Sequence, residues 1–345
     1  MLRRLTMFDA HRKLVGILAL SVVTLIWGST FVVIKGAVDS LAPGSLILAR
    51  FSLAALALTP LFALQARGRA LWFAGLELGF YSWLAFTTQA FGLLFTSASR
   101  SAFITAVSVV LVPALAIFVG RRPSVRIFLA ALLALAGVAL LGWDGAPPNR
   151  GDAWTLVAAL VYAVYVLRLE RHAQRLDVRG LSLTQIWGVL PFALAWALWE
   201  AGTGSACTLA GPAGAATALA GATGAGTGLA QAPAMLYACW AEVPASAWRS
   251  VAYLALAATA LTTSLQTLGQ SRVSAFEAAL IYTSEPVWAA IFAGFLLGER
   301  FGFGGWLGAS LVILAMLLGQ SGGRPKPEKS AGSTATDQES PSTRR

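Results

Sequence analysis

The sequence predicts an all-α integral membrane protein: ten transmembrane helices arranged as two inverted five-helix repeats. Three observations predict it. Mean hydropathy is +0.71 and 12% of residues are charged, against about 25% in soluble domains. Apolar runs recur at the ~20-residue length that crosses ~30 Å of hydrocarbon. The chain also reads twice through one plan. With Gly16 set over Gly151, Trp27 falls on Tyr162 and Lys35 on Glu170. With Gly120 set over Gly298, Arg122 falls on Arg300 and Thr96-Ser97-Ala98 on Ser274-Ala275-Phe276. An odd number of spans in each copy turns the second upside down relative to the first.

The spans fall at 14–37, 44–66, 71–95, 101–119, 125–143, 153–168, 181–200, 248–270, 275–297 and 302–320. Backbone groups in lipid must be satisfied within the segment, so these are helices. The first follows a short segment, 1–13, whose Arg3 and Arg4 suggest a secretory signal. The apolar stretch outruns a ~7–15-residue signal core and lacks a small-residue cleavage site, so an uncleaved helix is expected. The match of Arg3-Arg4 to a twin-arginine signal is at the level of coincidence. The repeats occupy 14–143 and 151–320, joined by a polar turn with Pro147-Pro148. A long Ala/Gly/Thr-rich stretch, 201–247, separates spans seven and eight. Its glycines and lack of Ile argue against a further span, and disorder is the plain expectation for it. The Ser/Thr/Pro-rich end, 321–345, reads as a disordered tail.

Net charge is +10, and its distribution explains it. With the amino terminus inside, the inner segments hold Arg3, Arg4, Arg12, Lys13, Arg67, Arg69, Arg121, Arg122, Arg126, Arg168, Arg171, Arg175, Arg179, Arg272 and the basic residues of the tail. The outer segments hold Arg100, Arg150, Arg249 and Arg300. This positive-inside bias predicts a multi-pass protein of the cytoplasmic membrane with both termini cytoplasmic. The lipid bilayer, rather than nucleic acid, is the partner that such a distribution implies.

Both cysteines, Cys207 and Cys239, lie in the 201–247 loop on the outer side. A disulfide would tie that loop down; two free thiols are the other reading, and spacing does not decide between them. Two thiols make an incomplete zinc set, so no metal is expected. No Gly-x-x-x-x-Gly-Lys-[Ser/Thr] loop is present, and neither Gly-x-Ser-x-Gly nor His-Glu-x-x-His occurs. The sequence therefore predicts no enzyme, no cofactor and no primary ATP pump. His11 and His172 are read as solvated residues of basic loops.

Charges inside a membrane are costly, so each is a functional candidate. Glu285 lies near the centre of span nine, directly before Pro286. The proline removes a backbone hydrogen bond and kinks the helix, leaving a polar spot beside a carboxylate that resists ionisation away from water. Glu277, eight residues earlier, lies about 12 Å away along the axis. Together the two suggest a proton or cation route, against the alternative that each merely pairs with a neighbouring helix. Arg50 suits either an anionic substrate group or a structural ion pair. Glu77 is read as snorkelling to the interface, and Lys35 as a partner for Asp39. Trp27, Ser29 and Thr30 interrupt span one beside Gly28, while Tyr162 and Tyr165 hold matching positions in span six. These residues either line a cavity or simply pack. Tyr282 and Thr283 add polar groups beside Glu285, and Gln89 and Gln266 are further lining candidates. The many Gly and Ala residues on the spans suit a homodimer contact or close packing within one chain.

Trp27-Gly28-Ser29-Thr30-Phe31, Ala49-Arg50-Phe51, Thr96-Ser97-Ala98-Ser99-Arg100, Glu285-Pro286 and Leu297-Gly298-Glu299-Arg300 resemble the EamA family of the drug/metabolite transporter superfamily. The resemblance covers about 14–320 in the expected order. It implies ten helices in two pseudo-symmetric halves. A central cavity would lie between helices one to four and six to nine, with helices five and ten peripheral. It also implies alternating access and, often, export of amino acids or other small metabolites, driven by a proton or substrate gradient. The chain departs from the pattern at Gly120-Arg121-Arg122, which lacks the acidic residue of Gly298-Glu299-Arg300, and in the length of the 201–247 loop. The expected function is thus a secondary transporter of a small polar metabolite. A flippase for a lipid-linked substrate and a non-transporting membrane sensor or assembly subunit are the alternatives.

Overall fold

The computed structural model describes residues 2–38, 40–142, 147–202, 232–241, 243–297 and 303–320. Among them every regular element is a helix: α1 Leu2–Val38, α2 Pro43–Phe62, α3 Arg69–Phe95, α4 Ala98–Ala106, α5 Ser108–Phe118, α6 Val125–Gly142, α7 Arg150–Ala173 and α8 Val178–Gly202. There follow α9 Ala232–Ala241, α10 Ala245–Ala255 running through a π-helical segment, Leu256–Leu261, into α11 Thr262–Gln270, then α12 Ala275–Tyr282, α13 Glu285–Leu297 and α14 Phe303–Gln320. Six stretches among the described residues are long and apolar enough to cross a bilayer: Ala10–Thr30, Pro43–Phe62, Arg100–Phe118, Arg150–Ala173, Val178–Gly202 and Ala245–Gln270. Val125–Leu141 and Gly304–Gly319 are shorter apolar helices.

Two expected spans are broken rods. Span nine divides into α12 and α13 at Thr283-Ser284. Pro286 has no N–H for the carbonyl of Tyr282, four residues back, and its ring crowds that carbonyl; Tyr282 is where α12 ends. Span four divides at Val107, between α4 and α5. The stretch 201–247, expected to be irregular, contains the helix α9, which packs on α8. Cys207 lies outside the described residues, as do the side chain of Cys239, that of Lys35, the turn Gly298-Glu299-Arg300 and the tail 321–345.

Packing follows from small residues. A Cβ on Gly79 would sit 2.3 Å from the backbone of Gly188, so α3 and α8 touch backbone to backbone there. A Cβ on Gly28 would meet Trp288 Cβ at 2.6 Å, which brings α1 onto α13. Without a hydrophobic drive between helices in lipid, such close approach is what holds a bundle together. Large apolar side chains lie on the outside, among them Phe73, Phe118, Val125, Trp306 and Leu317, the surface a lipid solvent favours.

Charged side chains gather at two ends. At one end Lys13 pairs with Glu277, Arg121 with Glu170, and Arg168 and His172 with Glu77. At the other, Arg100 pairs with Asp152 at 2.6 Å. There too both Glu200 carboxylate oxygens accept the Gly44 N–H at the start of α2, at 3.0–3.1 Å. The Arg121–Glu170 bond stabilises the charged guanidinium and raises its pKa. Glu77, expected to reach the interface, lies at this charged end, where it takes both Arg168 and His172 as partners. His172 is not a solvated loop residue; its Nε2 lies 2.9 Å from Glu77 Oε2 within the last turn of α7.

Candidate functional site

Between the two charged ends lies a cavity with about 60 Å³ open to the centres of water-sized molecules, enough to hold water. α1, α2, α3, α4, α7, α8, the π segment, α11 and α13 all contribute to its wall.

Arg50 enters from α2 and is 2% exposed. Its Nε donates to Thr259 Oγ1 and its Nη2 to Ala258 O at 2.8 Å. The guanidinium carbon stands 4.5 Å from the Phe86 ring centroid and 5.8 Å from that of Phe51. No carboxylate pairs with it among the described residues, so the structural ion pair considered above is absent there. The π segment makes this arrangement. Its wider turn lets Thr259 Oγ1 donate to Leu254 O, five residues back, at 2.8 Å, while the same oxygen accepts from Arg50. π-turns within α-helices recur at functional sites for such reasons.

Glu285 opens α13 just after the break and lines the same cavity. It is half-buried, and it has no hydrogen-bond or ion-pair partner among the described residues. The neighbouring Ser284 hydroxyl donates to Thr24 Oγ1 at 2.9 Å, tying the break to α1.

Aromatic rings and amides form the remaining wall. Trp27 meets Tyr162 edge-on at 5.8 Å and Tyr282 at 5.7 Å, and Tyr162 stacks on Tyr165 at 5.8 Å. Tyr165 donates its hydroxyl to Gln185 Oε1 at 2.9 Å. Gln266 Nε2 donates to the Tyr162 hydroxyl at 2.9 Å, and Gln185 Nε2 to Thr267 Oγ1 at 2.8 Å. Gln89 Nε2 donates to Thr105 Oγ1 at 3.2 Å. The Trp27 indole N–H is buried with no acceptor among the described residues, and an unmade buried bond is costly unless a guest supplies it.

Of the residues singled out from sequence, the structure brings Trp27, Thr30, Arg50, Gln89, Tyr162, Tyr165, Gln266 and Glu285 to one cavity. Four others are corrected. Ser29 faces elsewhere and shares a hydrogen bond with the Tyr253 hydroxyl. Tyr282 stands behind the wall, packed on Trp27 and Tyr162. Thr283 is 1% exposed and spends its hydroxyl on Leu280 O. Glu277 is the N3 residue of a capping box with Ser274 and is paired to Lys13. It belongs to the charged end and not to the cavity, because its carboxylate serves the start of α12. Sequence reasoning missed Ser82, Gln185, Thr259, Thr262 and Thr263. Gln185 and Ser82 are polar residues inside apolar spans, a signal that could have found them. The π turn that places Thr259 has no such signal.

Apolar helices long enough to cross a bilayer surround a polar, charge-bearing cavity, the build of a multi-pass membrane protein. The chain belongs to the EamA-like transporter family, whose model matches residues 14–143 and 214–319. An uncharacterized transporter of Archaeoglobus fulgidus is 31% identical over 194 residues, which cover 54% of this chain and 60% of the relative. The chain thus spans under two thirds of that relative's length. A crystal structure of another protein superposes with a TM-score of 0.61 over 90% of this chain and 97% of that one, at 16% identity; at that identity the likeness concerns the fold alone.

Proposed function

We propose that this protein is a secondary active transporter that exports a small zwitterionic metabolite such as an amino acid across the cytoplasmic membrane by alternating access, coupled to protons through Glu285. One observation carries the reading. Arg50 and Glu285 line one cavity, and neither has an oppositely charged partner among the described residues. Two unneutralised charges inside a membrane are expensive, and a guest carrying a carboxylate and an ammonium would answer both. The Arg50 guanidinium and the Trp27 N–H would receive the carboxylate, and Glu285 the ammonium. When the cavity is empty of substrate, a proton would neutralise Glu285. Exchange of proton for substrate at one carboxylate is the simplest way to couple their movements.

The ten-span plan of two inverted repeats, 14–143 and 151–320, with both termini inside, belongs to the same proposal. Packing supports it. Exchanging each helix of one half for its counterpart in the other maps the main contacts onto one another. α1 packs on α10 and α11 as α7 packs on α3, and α1 on α12 and α13 as α7 on α4 and α5. α2–α8 and α6–α14 map onto themselves. Under the offset that sets Gly120 over Gly298, the break at Val107 falls on Glu285, where the second break ends. The single family model also matches two successive regions.

The test is flux in proteoliposomes under an imposed proton gradient, using pooled amino acids, organic cations and nucleosides, with movement read by mass spectrometry. Amino acids should move, and Glu285→Gln should abolish gradient-driven flux while the protein still elutes as a folded species. Undiminished coupling in that variant would remove Glu285 from the mechanism, and movement of cations alone would refute the zwitterion reading.

A further inference from the structure

We propose that the groove between α3 and α8 on the lipid-facing perimeter is a binding site for an anionic diacyl phospholipid, with its phosphate held by Arg67, Arg69 and Arg179. The groove offers about 580 Å³ and lies between Trp72, Phe73 and Leu76 of α3 and Trp187 and Pro191 of α8. Its floor is the close approach of the two helices: a Cβ on Gly188 would stand 2.3 Å from Gly75 O. With the backbones in contact there, the large side chains splay apart and leave a channel.

The occupant follows from what borders the groove. Trp72, Phe73 and Leu76 are 47%, 71% and 44% exposed, and Leu61, Leu64 and Leu194 nearby are 65%, 72% and 45% exposed. On a multi-pass membrane protein that surface meets hydrocarbon, so the solvent able to fill the groove is an acyl chain. One end is different. Arg69 lines the groove there, and Arg67 is two residues before it. Gly180 approaches Gln65 O and Leu71, so the start of α8, which carries the exposed Arg179, lies beside the start of α3. All three arginines are exposed, and none has an acidic partner among the described residues. Asp177, at the same end of α8, accepts the Gly180 N–H at 2.7 Å through one oxygen, leaving the arginines in excess. Trp72 donates its indole N–H to Ala66 O at 3.1 Å, the interfacial posture of a tryptophan belt. From Arg69 to Leu76 the helix rises about 10 Å, the offset between a phosphate and the upper part of its acyl chains. The inference needs only the membrane setting and stands apart from the transport mechanism.

The full chain, purified in neutral detergent, would be given equal phosphatidylglycerol and phosphatidylcholine of identical acyl chains, and the retained lipid read by native mass spectrometry. Phosphatidylglycerol should be retained about tenfold or more over phosphatidylcholine, since each surface arginine adds ~1 kcal/mol. The double variant Arg67→Gln/Arg69→Gln should bring the ratio down to severalfold or less, the share left to Arg179. Arg179→Gln alone should lower the preference severalfold and serves if the double variant fails to fold. Arg249→Gln, an exposed arginine at the other charged end, should leave the ratio unchanged. Equal retention by the unaltered protein, an unchanged ratio in the rim variants, or an equal loss in Arg249→Gln would overturn the site. Glycerol 1-phosphate raising the melting temperature as much as phosphatidylglycerol would overturn the acyl groove and leave a simple anion site.

Discussion

Replacing Arg50 with lysine keeps the positive charge and removes its geometry. The guanidinium makes two hydrogen bonds at once, to Thr259 Oγ1 and Ala258 O, and lies 4.5 Å from the Phe86 centroid. A lysine ammonium, a point charge on a flexible stem, can replace one of those bonds and none of the planar stacking. The lost bond to a charged donor is worth about 1.5–3 kcal/mol, and the buried cation–π contact about 0.5–2 kcal/mol. Thr259 limits the damage, because its hydroxyl still donates to Leu254 O and is not orphaned. The expected cost is about 2–4 kcal/mol, which is about 30- to 1,000-fold in affinity if Arg50 is held for the substrate carboxylate. Binding should be measured by the thermal shift that saturating amino acid produces, and flux in proteoliposomes from the same preparation. Arg50→Lys should lose most of the ligand-induced shift and at least about 30-fold in flux at subsaturating substrate. A variant whose unliganded protein melts lower, yet which binds and transports within about twofold of the parent, would refute the reasoning: Arg50 would then be a packing residue.

Other perturbations separate the cavity from its frame. Glu277→Gln should cost about 0.5–2 kcal/mol through the weakened cap and lost ion pair, visible in thermal melts, with proton-driven flux unchanged. Loss of coupling in that variant would return Glu277 to the mechanism. Tyr165→Phe leaves Gln185 Oε1 without its donor in a buried site; a loss of about 1–3 kcal/mol is expected, and an unchanged melting temperature would show the tyrosine–glutamine bond to be dispensable. Gly79→Leu sets a side chain where a Cβ alone would meet Gly188 backbone at 2.3 Å. The α3–α8 contact should then open and the protein aggregate on extraction, whereas a monodisperse elution profile would contradict that packing.

Most of the helical segments were legible in the sequence because lipid imposes one rule along the whole chain: each spanning segment must be apolar and must satisfy its own backbone. Pro286 announced the break after Tyr282 for an equally local reason. Eight of the chosen cavity residues were legible too, since a polar group within an apolar span is conspicuous. What local pattern could not supply was the direction in which each side chain points. Ser29 and Thr30 are adjacent, and only Thr30 reaches the cavity, because successive residues on a helix diverge by about 100°. Glu277 and Glu285 looked like a pair along one helix. Once the helix breaks, a capping box and Lys13 claim Glu277 while Glu285 faces the cavity.

The sequence by itself determined that this chain is a bundle of apolar helices with a few intramembrane charges, because composition and span length depend on each segment alone. The tertiary structure decided which charges share a cavity and which are neutralised. It put Thr259 and Ala258 against Arg50 through a π turn that no residue pattern signals, and it left Arg50 and Glu285 facing one space without oppositely charged partners among the described residues. Those outcomes depend on contacts between helices far apart in the chain, where the close approach of Gly28 to Trp288 and of Gly79 to Gly188 sets the register of the bundle.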